Sequence, residues 1–261
     1  LFVADNLGQF TVWMEFANNQ HLGSFDLAFL LVCYSAQIFA DFAGYSALAI
    51  GSALLLGYSL PINFDRPYIA NSFSDFWRRW HISLSSFLRE YLYIPLGGNR
   101  KGPVRTYINL IITMSLGGLW HGAAWSFLTW GFMHGLMLAI ERLLQPAAAL
   151  VPQRALPFAT RICVLLVFVS VSVLWLFFKL PDFGQAVDYL LRMLSLPTRP
   201  AFETAQYALV CAYAAPVLIW HFLPRSLRRG RSIHTAAIYA MMLFLAVFDG
   251  GQADAFIYFQ F

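Results

Sequence analysis

The chain has 261 residues, of which 59% are hydrophobic, 17% aromatic and only 11% charged. Soluble domains are about a quarter charged, so this composition excludes an ordinary soluble domain and points to a membrane protein. The formal net charge of +4 is spread over many loops. It suits a chain with basic cytoplasmic loops and forms no nucleic-acid patch.

Leu1–Gln20 is weakly patterned, and the chain starts with Leu1 and no basic region followed by a cleavage site. It therefore reads as lacking its natural N-terminus. Between Asp26 and Asp65 the only charged side chain is Asp41. A helix needs about 20 residues to cross some 30 Å of hydrocarbon, so this interval predicts two spans, Leu22–Ala40 and Gly44–Leu60. FADFAGY (Phe39–Tyr45) joins them, and Asp41 falls at or just inside a membrane boundary. There it is either a capping or interfacial acid or a buried carboxylate facing a site.

Prolines make Pro61–Ser72 a loop. Phe73, Phe76, Trp77, Trp80, Leu84, Phe87, Leu88, Tyr91 and Leu92 then follow helical spacing along one face. Arg78, Arg79, Arg89 and Glu90 occupy the other, so Phe73–Leu92 is predicted as one amphipathic interfacial helix with His81 flanking its apolar stripe. After a basic loop, Asn99–Arg105, no Asp, Glu, Lys or Arg occurs from Thr106 to Ile140. One helix of that length would run roughly 52 Å, so a hairpin is required. Gly117, Gly118 and Gly122 mark its break. Its short arms put Trp120 and His121 below the far membrane surface, where irregular backbone needs a protein-lined or watery cavity.

Glu141-Arg142 ends the second arm, and a Pro/Ala-rich linker leads to three further spans, Arg161–Phe178, Ala205–Phe222 and Thr235–Phe248. The expected architecture is all-α: a polytopic membrane protein of about seven segments, one amphipathic helix and a buried cavity. Residues 1–261 form one membrane-embedded domain with its core at 61–145. Basic loops at Arg100–Arg105, Arg142–Arg161 and Arg225–Arg231 recur after every second crossing, which places them in the cytoplasm and the tail from Asp249 outside. Cys33, Cys163 and Cys211 are odd in number and far apart, and read as buried thiols.

Two histidines concentrate the candidate chemistry. A neutral imidazole in a dry cavity is a competent general base, and His121, beside Trp120 at the glycine-rich break, has that setting. Taken alone, His121 is equally well a core histidine, and His81 better an interfacial one. His134, in WGFMHG, reads as a helix-packing residue, and His221 and His234 as interfacial. Metal-ligand spacing, a GxSxG serine and a phosphate-binding glycine loop are all missing from the sequence. Arg78 and Arg79 are either interfacial anchors or contacts for donor phosphates. An arginine-lined cavity mouth on the cytoplasmic side would suit an anionic thioester donor.

FWRRWHISLSSFLREYLYIPLGGNR (Phe76–Arg100) followed by SLGGLWHGAAW (Ser115–Trp125) strongly resembles the membrane-bound O-acyltransferase family, in its bacterial branch typified by alginate O-acetyltransferase. DFAGYS, NFDRPYIANSFSDFW, WGFMHG and the closing FIYFQF share the resemblance. It implies an acyltransferase of the bacterial inner membrane in which His121 is catalytic and His81 is the second polar residue of the site. Asp41, Arg78, Arg79, Trp80, Trp120 and Asn99 complete the candidate substrate-binding set. Implied too are acetyl-coenzyme A or another acyl thioester as donor, no bound cofactor, an extracytoplasmic polysaccharide such as alginate as acceptor, and extracytoplasmic partner proteins. Peptidoglycan O-acetylation, teichoic-acid D-alanylation and a non-enzymatic conduit or scaffold are the alternatives. Related sequences usually carry an acid after GYS; here Ala47 stands there, and no carboxylate role is assigned to it.

Overall fold

The computed structural model describes residues 2–148, 156–180, 182–195 and 200–222. Thr235–Phe248, Arg225–Arg231, His234 and the closing tail lie outside the described residues. Those described form ten α-helices and no strand. The chain divides into two compact units, Leu1–Ser59 with Leu191–Phe261, and Leu60–Leu190.

In the first unit, α1 (Phe2–Thr11), α3 (Ser24–Leu55) and α10 (Thr204–Phe222) pack against one another, with the short α2 (Phe16–Asn19) between the first two. The stretch with no clear pattern is thus helical, and it buries Ala4, Leu7 and Thr11. Thr11 donates to Gln37 Oε1 at 2.6 Å. The Asp26 carboxylate accepts from the Gly23 and Ala201 N–H groups and the Tyr207 hydroxyl, which ties the start of α10 to that of α3. Arg192 donates to the side chain and carbonyl of Asn19 at 2.6 and 2.7 Å.

The two spans expected between Leu22 and Leu60 are one helix, α3, of 32 residues. Gly44 costs a helix only about 1 kcal/mol, and no proline interrupts the alanine- and leucine-rich run, so nothing forces a break. At 1.5 Å per residue the helix is roughly 48 Å long. Its buried residues stop at Phe42, and its far end exposes Leu48, Leu54 and Leu55. Asp41 is therefore a buried acid near mid-helix rather than a residue at a break.

The second unit holds α4 (Phe73–Arg79), α5 (Ile82–Leu88), α6 (Gly102–His121), α7 (Trp125–Ala148) and α8 (Leu156–Lys179), followed by α9 (Phe183–Met193), which runs past the unit's end. In α8, Val167, Val171, Leu174, Trp175 and Phe178 are buried at i, i+4, i+7, i+8 and i+11, while Leu165, Leu166 and Val169 face outward. Up to Val171 that is one packed face and one apolar outer face, as lipid requires, and from Leu174 to Phe178 the helix is buried all round. Cys163 on α8 and Cys211 on α10 are exposed, so only Cys33 is a buried thiol. Helices α3, α8 and α10 are long and apolar enough to cross a membrane by length and composition.

The predicted hairpin is α6 and α7, and it turns at Gly122–Ala124. Gly117 and Gly118 lie inside α6 and do not break it. Their role is close approach. A Cβ on Gly118 would lie 2.2 Å from the Phe127 carbonyl oxygen, one on Gly131 2.2 Å from the Met114 oxygen, and one on Gly135 2.6 Å from the Ile111 Cα. A Cβ on Gly117 would meet Leu88 at 2.9 Å, so this glycine seats α5 on α6. The second arm also continues past Glu141-Arg142 to Ala148, because Leu143, Leu144 and the alanines favour helix.

Gly118→Ala and Gly131→Ala are each expected to destabilise the protein by about 1–3 kcal/mol through forced separation of α6 and α7. Gly51→Ala, with nothing within 4 Å of the added carbon, is expected to leave the unfolding midpoint unchanged or raise it. Thermal unfolding in detergent reads all three.

Candidate functional site

The hairpin apex positions His121. It is the last residue of α6, and Gly122 caps the helix by donating to the Leu119 carbonyl at 3.2 Å. A Cβ on Gly122 would lie 2.7 Å from the Phe127 ring, so that ring closes over the turn only because the residue is glycine. The His121 imidazole is 8% exposed and boxed by aromatic rings. Their centroids lie at 4.9 Å for Trp120, 5.0 Å for Phe178, 5.3 Å for Trp130 and 6.4 Å for Phe127.

His81 reaches the same place through a break in what the sequence predicts as one helix. α4 stops at Arg79 and α5 starts at Ile82; between them His81 takes the left-handed conformation, φ 44 and ψ 56. For a residue with a Cβ this costs about 1–3 kcal/mol and persists only where the surroundings impose it. The Pro61–Ser72 loop imposes it. The Asn63 carbonyl accepts from Ile82 N at 3.1 Å, and Asp65 N donates to the Arg79 carbonyl at 3.0 Å. The Asn63 side-chain oxygen accepts from the Ser83 N–H at 3.2 Å and the Ser83 hydroxyl at 3.1 Å. These bonds draw the Ile82 and Ser83 N–H groups out of the helical pattern, whereas Trp80 N still donates to the Phe76 carbonyl. Arg66, in the same loop, is the other described non-glycine residue with positive φ.

Asn63 also sets the chemistry of His81. Its Oδ1 lies 3.3 Å from His81 Nδ1. Because a backbone N–H can only donate, the Asn63 atom facing Ser83 is oxygen, and the Ser83 hydroxyl lies 3.4 Å from the same His81 nitrogen. Trp120 links the two histidines: its ring centroid is 6.4 Å from His81 and 4.9 Å from His121. Trp120 itself is 61% exposed, so the indole that both histidines border is an open surface.

The other expected site residues divide. Trp80 is 1% exposed under Phe64, Phe76 and Trp175 and forms part of the core. Arg79 donates to Asp75 at 2.8 Å and to the Asp65 carbonyl, and so braces the kink. Arg78 is exposed, with Asp75 at 3.5 Å. Asn99 accepts from the Tyr93 hydroxyl in the turn before α6. Asp41 belongs to the first unit. His134 is fully buried among Phe76, Trp77 and Trp130, in keeping with a packing residue. His221, expected at the interface, is buried with Nδ1 2.8 Å from the Val217 carbonyl. Of the amphipathic stripe, Phe76, Trp77, Trp80, Leu84 and Leu88 are buried, whereas Phe87 and Tyr91 stack on each other outside. Asn63 and Ser83 emerge only from the fold, because an asparagine in a loop carries no periodic signal.

A profile of the membrane-bound O-acyltransferase family matches residues 21–180, which contain both histidines, Asn63 and the whole hairpin. The chain belongs to this family. Within it, the chain is 50% identical over 155 residues to the probable alginate O-acetylase AlgI of Azotobacter vinelandii, covering 59% of this chain and 30% of that protein. It is 44% identical over 165 residues to the peptidoglycan O-acetyltransferase of Helicobacter pylori, 62% of this chain and 30% of the relative. A teichoic acid D-alanyltransferase of Streptococcus thermophilus matches at 38% over 128 residues, 46% and 31% of the respective lengths. The matched part is thus about a third of each curated relative. Membership in the membrane-bound O-acyltransferase family makes this a membrane protein with helical spans.

Asn63→Ala removes the shared acceptor at the kink. It is expected to speed amide hydrogen exchange in the segment from Trp80 to Leu88 while leaving α6 and α7 at the parental rate, as read by mass spectrometry in lipid nanodiscs.

Proposed function

We propose that this chain carries the acyl-transfer centre of an inner-membrane O-acyltransferase, with His121 as general base and His81 as the residue that orients the acceptor. The observation that supports this most is the pairing of two imidazoles, from different parts of the fold, on one exposed indole at the hairpin apex. Packing alone does not call for a histidine held in a left-handed kink at that point.

The acceptor hydroxyl gives its proton to the His121 imidazole as its oxygen attacks the thioester carbonyl carbon. The tetrahedral intermediate collapses with cleavage of the carbon–sulfur bond, and the imidazolium returns the proton to the departing thiolate. Base catalysis by a positioned side chain contributes about 10²–10⁴-fold. For His81 we assign the tautomer with its proton on Nδ1, shared with Asn63. With its lone pair on Nε2 it accepts a hydrogen bond from the incoming hydroxyl, which aims the oxygen, instead of donating to the oxyanion. Trp120 would form the apolar wall beside which donor and acceptor meet, and the exposed Arg78 is assigned to meet an anionic donor.

The donor we assign is a cytoplasmic acyl thioester such as acetyl-coenzyme A, delivered from the side of the basic loops, and the acceptor a hydroxyl of an extracytoplasmic polysaccharide of the alginate type. The two alginate and peptidoglycan relatives support acetyl as the group transferred. Merging two predicted spans into α3 leaves the alternation of basic loops intact, since all of them follow it in the chain. The multi-pass topology, the cavity and the extracytoplasmic partner proteins belong to this same reading. Peptidoglycan O-acetylation uses identical chemistry and is separated from it by the acceptor alone.

His121→Ala is expected to lower O-acetyl ester on the surface polymer by at least about 10²-fold with membrane abundance unchanged. Ester content is measured on isolated polysaccharide and peptidoglycan from cells carrying either form. Parental ester content in the variant overturns the assignment.

A further inference from the structure

Helix α4 is too short to hold its own place: seven residues form less than two turns and gain almost nothing from helix propagation. Its contacts show what holds it. Near its start, the main-chain N–H groups of Phe73 and Ser74 both donate to one carboxylate oxygen of Glu141, the latter at 3.2 Å. Further along, Phe76 and Trp77 lie over His134, at 6.1 and 5.1 Å between ring centroids, and Trp77 over Trp130 at 5.8 Å. The next turn of chain delivers His81 beside Trp120. As α4 runs forward, its partners on α7 run backward, from residue 141 to 134 to 130. The helix is thus laid antiparallel along α7, from Glu141 toward the apex.

Of these contacts, only the one at Glu141 fixes register. Ring-on-ring packing tolerates sliding, whereas two N–H groups converging on one oxygen do not. The first N–H groups of any helix lack partners within it. Here Ser72 satisfies Asp75 N at 3.0 Å, and a side chain almost 70 residues downstream satisfies the other two. A carboxylate at that position is further favoured by the helix dipole.

We infer that Glu141 is a positioning residue: by capping α4 from α7 it sets the distance at which His81 meets Trp120 and the His121 apex. Glu141 touches no reacting atom, and its influence on the reaction rests on the acyl-transfer reading above, while its influence on geometry does not.

The test uses the full-length protein in membranes with Cys33, Cys163 and Cys211 replaced by serine. For geometry, His81→Cys and Trp120→Cys are introduced together, bridged with a short bifunctional thiol reagent, and the linked peptides are quantified by mass spectrometry. Glu141→Ala is expected to lower the linked fraction several-fold. Glu141→Gln, which keeps an oxygen acceptor of the same reach, is expected to retain most of it, so the comparison does not depend on the alanine variant alone. For the reaction, with His81 and Trp120 intact, Glu141→Ala is expected to lower kcat by about tenfold or more, since misplacement of about 1 Å can cost 10²-fold. The KM for the thioester is expected to stay within about twofold, because donor contacts made equally in ground and transition state are untouched. Equal linking in the alanine, glutamine and parental forms overturns the proposal. Reduced linking in Glu141→Ala together with no acyl transfer by any form, the parent included, supports it and overturns the acyltransferase reading instead.

Discussion

Contact between two helices at glycine is the constraint on which the second unit depends. Gly118, Gly131 and Gly135 leave room for the backbone of one arm to lie against the other, with two carbonyl oxygens and the Ile111 Cα where methyl groups would otherwise be. Such close approach lets backbone and small side chains pack directly, which is itself a source of cohesion between helices. It also has a chemical consequence. Two arms joined this tightly leave a turn of only three residues, and His121 is fixed at its edge with Phe127 folded over Gly122. The same arrangement gives α7 a firm outer face of Trp130 and His134, on which α4 rests.

His81 is held in the opposite manner. Where His121 is fixed by packing, His81 is fixed by hydrogen bonds from a loop, at the expense of a strained backbone. Asn63 is central, because its carbonyl and side-chain oxygen take the Ile82 and Ser83 N–H groups that would continue α4, and the same side-chain oxygen lies 3.3 Å from the imidazole. In the proposed reading the packed imidazole is the base and the hydrogen-bonded one the orienting group, both beside one indole. The profile match over residues 21–180 takes in both histidines and places the chain in the membrane-bound O-acyltransferase family.

Much of this was legible in the residues themselves. A charge-free interval too long for one crossing, with WHG near its middle, marked the hairpin and its apex, and the buried stripe from Phe76 to Leu88 followed from spacing. α8 and α10 matched their apolar runs to within a few residues. Three features were not legible, each for a physical reason. Gly44 and Asp41 suggested a break in α3, yet neither residue prevents helix where the flanking sequence favours it. Gly117 and Gly118 suggested a break in α6, but in a helix pair glycine serves proximity as readily as flexibility, and only the partner helix distinguishes the two. The kink at His81 depends on Asn63, which is remote in sequence, so helical periodicity ran straight through it.

The central claim is that an activated acyl group reacts beside Trp120, between His81 and His121. Its most direct test is an electron cryomicroscopy structure of the full-length protein in nanodiscs, bound to a non-transferable thioether analogue of acetyl-coenzyme A. The account predicts density that ends with the acyl carbon against Trp120 and within hydrogen-bonding reach of the His121 ring. An analogue bound elsewhere, with His121 sealed from it by the aromatic box, would contradict the account.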